Sequence, residues 1–193
     1  TIKALVLSHN IFSNFNHVKF PWFSPDALWK HSSIAGLFAR EIAKAENYKL
    51  EIIEDALVAG MLHDLGKLLL VANLPVPYNE AQALAHDKNM PLWEAEQEVL
   101  GGTHAEVGAY LIGLWGITNS IVEALAFHHN PGRCPVKTFT LVTAVHVADV
   151  LANEVYPVET GVEVKVDNDY LAKAGMAERL PVWRELCLAL YRQ

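Results

Sequence analysis

Cysteine is nearly absent from this 193-residue chain. Two residues, Cys134 and Cys187, cannot build a disulfide framework, and they fit a reducing compartment. Basic residues are in deficit, 15 Lys and Arg against 22 Asp and Glu, for a net charge of −7. No segment concentrates them, which argues against a duplex nucleic-acid partner. No long hydrophobic run exists: the longest uncharged stretch, Val107 to Val122, falls short of the roughly 18–20 apolar residues that span a bilayer. No basic segment followed by an apolar core and a small-residue cleavage site opens the chain, so neither a signal peptide nor a membrane partner is expected, and the location expected is cytoplasmic. Charged residues are only 19% against 52% hydrophobic, with mean hydropathy +0.16, which excludes intrinsic disorder. Apolar–polar alternation is confined to Val162–Val166, so strands are not expected.

Helical periodicity recurs instead. A first segment over Ile2–Phe15 spaces Leu5, Phe12 and Phe15 helically. A second is expected over Pro25–Ala45, with Ser24 as N-cap and Pro25 at the first position. A third runs from Leu50 to Leu69, and Pro75 and Pro77 are expected to end it. Further helices are expected over Leu92–Gly101, His104–Trp115, Asn119–His129, Val136–Val155 and Leu180–Tyr191. The acidic stretch Tyr156–Asp169 reads as a loop. The fold expected is a single all-α domain of about eight helices, with no internal repeat.

Histidine is what the chain has in excess, nine residues in all. His31 lies inside a helix. His63-Asp64 is a doublet in the apolar run Gly60–Lys67. His104 opens a helix, and His128-His129 closes one. Asp149 sits in the most apolar helix, Val145-His146-Val147-Ala148-Asp149-Val150. An ionised Asp buried there costs several kcal/mol unless it is paired or binds a metal. Neighbouring side chains on a helix diverge by about 100°, so a His-Asp doublet can serve two ions, or bridge them through its carboxylate. Imidazole plus carboxylate suits Fe, Mn, Ni or Zn rather than Mg or Ca alone. Five histidines and two aspartates are too many ligands for one such ion with open positions, and enough for two. The ordinary alternatives are core or capping roles. These are the expected roles of His9, His17 and His86, and of His146 unless it supports Asp149 three residues on. His128 and His129 could equally be cationic helix C-caps.

Taken in order, these segments resemble the HD superfamily of metal-dependent phosphohydrolases, whose ligands run His, His-Asp, His, Asp along the chain. They are more similar to its regulatory branch, the HDOD domain of bacterial signalling proteins. The resemblance rests on Leu28–Ser32, Ala59–Leu68, Gly102–Ala109, Leu114–Ile117, Ala126–Pro131 and Ala148-Asp149, and covers about residues 1–155. It implies an HD-type helical domain with a dinuclear transition-metal centre in its core, iron or manganese favoured, nickel or zinc compatible. The implied ligands are His31, His63, Asp64, His104, His128, His129 and Asp149, with Asp64 bridging and Lys67 at the mouth of the site. Residues 1–193 would form the HD-like half of the domain, with a helical half, or a receiver domain as well, expected upstream.

Two departures bear on activity. The Gly-Tyr-Pro signature of the cyclic-di-GMP phosphodiesterase branch is replaced by Asn130-Pro131-Gly132-Arg133, and Ala27 stands where a third-metal Glu would be. The expected role is a signalling module working through protein partners or an upstream receiver or sensor domain, with little or no hydrolysis. The alternative is an active metal-dependent phosphohydrolase or phosphodiesterase taking a phosphorylated small ligand, a nucleotide or cyclic dinucleotide, in which Lys67 and Asp64 would be catalytic.

Overall fold

The computed structural model describes residues 23–135, 138–158 and 164–192. The expected first helix over Ile2–Phe15 lies outside them, as do His9 and His17. The described residues contain ten α-helices and no strand: α1 (Pro25–Ala45), α2 (Leu50–Leu62), α3 (Leu65–Asn73), α4 (Pro75–Lys88), α5 (Leu92–Leu100), α6 (His104–Leu114), α7 (Asn119–Phe127), α8 (Leu141–Val155), α9 (Asn168–Lys173) and α10 (Leu180–Tyr191). The all-α expectation holds.

α1 starts as its sequence dictates. Ser24 accepts a hydrogen bond from the Ala27 amide, Pro25 occupies the first turn, and Asp26 faces the positive end of the helix dipole. α1 and α2 pack closely because both carry glycine at the crossing. A Cβ on Gly60 would lie 2.7 Å from Gly36 Cα, and one on Gly36 would lie 2.8 Å from the Leu57 carbonyl oxygen. This approach brings His31 and His63 within reach of each other.

The expected single helix over Leu50–Leu69 is broken. α2 ends at Leu62, His63 and Asp64 form a turn, and α3 restarts at Leu65. The His63 ring explains the break: its Nδ1–H donates to the Gly60 carbonyl at 2.7 Å, engaging the acceptor that an unbroken helix would give to the Asp64 amide. The turn redirects α3 against α6, where Gly66 touches backbone. A Cβ there would sit 1.9 Å from the His104 carbonyl oxygen.

Two further helices were not expected. Pro75, read as a stop, is instead the first residue of α4, where the missing amide costs nothing. α9 begins inside the acidic stretch, capped by Asp167, whose carboxylate accepts from the Tyr170 amide at 2.8 Å. α8 starts at Leu141 rather than Val136, because Thr140 caps it, its hydroxyl accepting from the Val142 amide at 3.2 Å.

The main core lies between α1, α2, α7 and α8 and is closed by Trp183 of α10. A smaller core of Leu70, Val71, Tyr78, Ala81, Leu92 and Ala95 holds the α4–α5 hairpin to α3.

Candidate metal centre

The seven expected ligands come from five places: α1 (His31), the α2–α3 turn (His63, Asp64), the start of α6 (His104), the end of α7 (His128, His129) and the middle of α8 (Asp149). The fold brings all seven together. His31 Nε2 lies 3.0 Å from Asp149 Oδ1 and 4.0 Å from Asp64 Oδ2. His63 Nε2 lies 3.4 Å from both of those oxygens. On the other side of Asp64, Oδ1 is 3.2 Å from His104 Nε2 and 3.9 Å from His128 Nε2. His129 approaches His104, Nε2 to Nε2, at 2.9 Å, and its Nδ1 lies 3.9 Å from Asp149 Oδ2. Asp64 is thus shared between a His31/His63 side and a His104/His128/His129 side.

Every one of these side chains is buried except His129, which is 9% exposed and lies roughly parallel to Trp93. Lys67, expected at an open mouth, is itself buried, and its ammonium donates to Asp64 Oδ2 at 2.9 Å. His146 has a structural role. Its Nδ1–H donates to the His128 carbonyl at 2.7 Å and its Nε2 accepts from the Asp167 amide at 2.9 Å, tying the end of α7 to the start of α9. His86 is exposed beside Asp87, far from this role.

Two supporting residues escape a reading of the ligand motifs. Glu96 of α5 is fully buried, and its Oε2 accepts from both the His104 amide (2.8 Å) and His104 Nδ1–H (2.6 Å). Its signal in the sequence is positional: it stands on the apolar stripe Leu92, Ala95, Glu96, Val99. Asn153, one turn after Asp149, donates to Asp149 Oδ1 at 3.0 Å.

The charges set the protonation states. Burial pulls His63 down, but Asp64 and Asp149 outweigh it and lift the imidazole to about 10. Burial likewise opposes the charge on His104, and Glu96 lifts it to about 9. His128 is pushed down to about 3 by burial and by His63, and His129 is pushed down by burial and by His128 and His104. Burial works against ionised Asp64 and Asp149, yet His63 and Lys67 hold the first carboxyl low, and His31 and His63 hold the second low.

This arrangement fits a metal. His63 Nε2, His128 Nε2 and Asp64 Oδ1 are buried and make no hydrogen bond, although all three point into the cluster. Buried nitrogen and oxygen atoms without partners are costly, and a cation among them removes the cost. Three sets have donor atoms close enough to share an ion: Asp64, His104, His128 and His129; His31, His63 and Asp64; His63, His128 and Asp149. Imidazole and carboxylate are the donors of first-row transition metals.

An all-helical domain with a buried His/Asp centre defines the HD class of protein. Residues 1–131 match the HDOD domain family, and the chain belongs to it. A Treponema pallidum protein of uncharacterised activity is 27% identical over 123 residues, which is 64% of this chain and 24% of that protein. A Geobacter sulfurreducens HDOD domain protein of unknown function has the same fold, with a TM-score of 0.75 at 23% identity, over 96% of this chain and 64% of its own. A Shewanella amazonensis protein provisionally described as a phosphohydrolase follows, with a TM-score of 0.67 at 21% identity, over 95% of this chain and 70% of its own. The chain therefore spans about a quarter of the Treponema protein and just under two thirds of the Geobacter chain. No helix among the described residues is long and apolar enough to cross a membrane.

Proposed function

We propose that this chain is a regulatory HDOD module built around a dinuclear metal centre, working in the cytoplasm through contacts with signalling proteins. His31, His63, Asp64 and Asp149 would hold one ion. Asp64, His104, His128 and His129 would hold the other, with Asp64 common to both. Iron or manganese suits the mixed imidazole–carboxylate set best, and nickel or zinc is compatible with it. The observation that carries this reading is the convergence of seven donor side chains from five elements, three of whose buried donor atoms make no hydrogen bond.

Two such ions supply Lewis-acid activation of a phosphoester. The chain's own residues do less for hydrolysis. Lys67, the residue nearest to a phosphate-holding role, has its ammonium committed to Asp64. The proposed ligand side chains are buried, with only His129 partly exposed. A regulatory role follows, in which the centre fixes the arrangement of five elements that a partner reads. The active-hydrolase alternative is favoured by one observation: none of the seven ligand positions has been lost. The test is to load the protein anaerobically with iron or manganese and follow cyclic-di-GMP and simple phosphodiesters for hours. The regulatory reading predicts no metal-dependent turnover. Hydrolysis at about 1 per second or faster, abolished by His63→Ala, would establish the alternative.

A further inference from the structure

His63, His104 and His128 carry Nε2 into the centre, and their Nδ1 atoms are held in different ways. His63 and His128 each sit at a helix C-terminus and donate Nδ1–H to the carbonyl three residues earlier, Gly60 and Leu125, both at 2.7 Å. His104 has no such option. It is the first residue of α6, so the residue three before it, Gly101, lies outside that helix. A carboxylate from another element takes the place of that carbonyl. Glu96 Oε2 receives the His104 Nδ1–H at 2.6 Å, which turns the Nε2 edge of the ring toward Asp64 and His129.

Helix capping accounts for only one of the two Glu96 contacts. In α6 the side chains and amides of Thr103 and Glu106 satisfy each other, and Glu96 takes the free His104 amide, but its bond to the His104 imidazole adds nothing to the cap. Nor does packing: Glu96 occupies a position on the buried stripe of α5 where an apolar residue costs less, and its Oε1 is buried without a hydrogen bond. A buried carboxylate spent on one imidazole is the arrangement that fixes a metal-binding histidine's tautomer and strengthens it as a donor.

We infer that Glu96 is a positioning residue of the metal centre, whose negative charge orients His104 and makes the His104/His128/His129 side the one that depends on α5. This rests on the metal reading above. It also means that the α4–α5 hairpin, with its own small core, is tied to the centre through the Glu96 carboxylate and its two hydrogen bonds to His104.

The test compares wild type, Glu96→Gln and Glu96→Ala, loaded with zinc and titrated by competition with a chelator. The Gln side chain keeps an oxygen for both His104 donors and loses only the charge. The expected result is two ions in wild type and, in Glu96→Gln, one site weakened by roughly 10–100-fold with the other unchanged. Glu96→Ala should retain a single ion. The His104 Nδ1–H resonance in the zinc-loaded protein should move upfield in Glu96→Gln as the charged hydrogen bond is lost. If wild type binds two ions and Glu96→Gln binds both with unchanged affinity and an unchanged His104 resonance, Glu96 has only a structural role and the inference fails alone. If wild type binds no zinc, the metal reading fails and takes this inference with it.

Discussion

His128 and His129 are adjacent, and both are driven toward the neutral imidazole that a metal requires, His128 down to about 3. His63 and His104 are driven the other way, to about 10 and about 9, by the carboxylates of Asp64 and Asp149 and of Glu96. In metal-free protein at neutral pH those two therefore hold protons in place of cations. A metal must displace both, because it binds the deprotonated nitrogen. The sign follows: raising the pH toward about 9 removes the competing protons, so metal affinity rises with pH and levels off above about 10. Calorimetry of metal binding in buffers of different ionisation enthalpy should show about two protons released per chain near pH 7. An affinity that does not change between pH 6 and 9 would contradict this assignment of protons. The seven side chains that converge were legible in the sequence because they are polar residues set in apolar segments. Glu96 was not, since it is one of three glutamates within five residues, and only its place on the buried stripe distinguishes it.

At the level of elements, the site depends on where helices stop and how closely they approach. Gly66 marks the tightest contact, one residue after α3 begins. A Cβ there would lie 1.9 Å from the His104 carbonyl oxygen and 2.9 Å from the Gly108 amide nitrogen, both backbone atoms with no rotamer to yield. Gly66→Ala should push α3 from α6, cost about 1–3 kcal/mol, and lower the melting temperature by roughly 2–4 °C per kcal/mol. It should also weaken metal binding, because the α2–α3 turn and His104 separate. Thermal unfolding and metal titration of this variant check both, and wild-type values for each would refute the contact. Much of the element pattern was readable: α1, α5, α6, α7 and α10 begin and end within a residue or two of expectation, each marked by a cap, a proline or a glycine. The break between α2 and α3 was not, because its cause is a side chain, the His63 ring taking the Gly60 carbonyl. α4 was missed because proline signals a helix start as well as a stop. α9 was missed because it has only six residues and its cap is one acid among several.

For the whole molecule, a net charge of −7 offers little attraction to a phosphorylated substrate. Lys67, beside the buried centre, has its charge already paired with Asp64. On the regulatory reading proposed above, shape rather than turnover would be the output. Five elements distant in sequence meet around Asp64, so in the proposed centre an ion on either side of that carboxylate would fasten α1 and α8 to the α6–α7 pair. The most direct measurement is the metal content of folded protein, produced with iron and manganese supplied and purified without chelator. The account predicts two ions per chain in wild type, one in His31→Ala and one in His104→Ala. It predicts none in Asp64→Ala, with helical content by circular dichroism retained in each variant. A folded wild-type protein that takes up no transition metal, or a folded Asp64→Ala variant that still holds two ions, would contradict it.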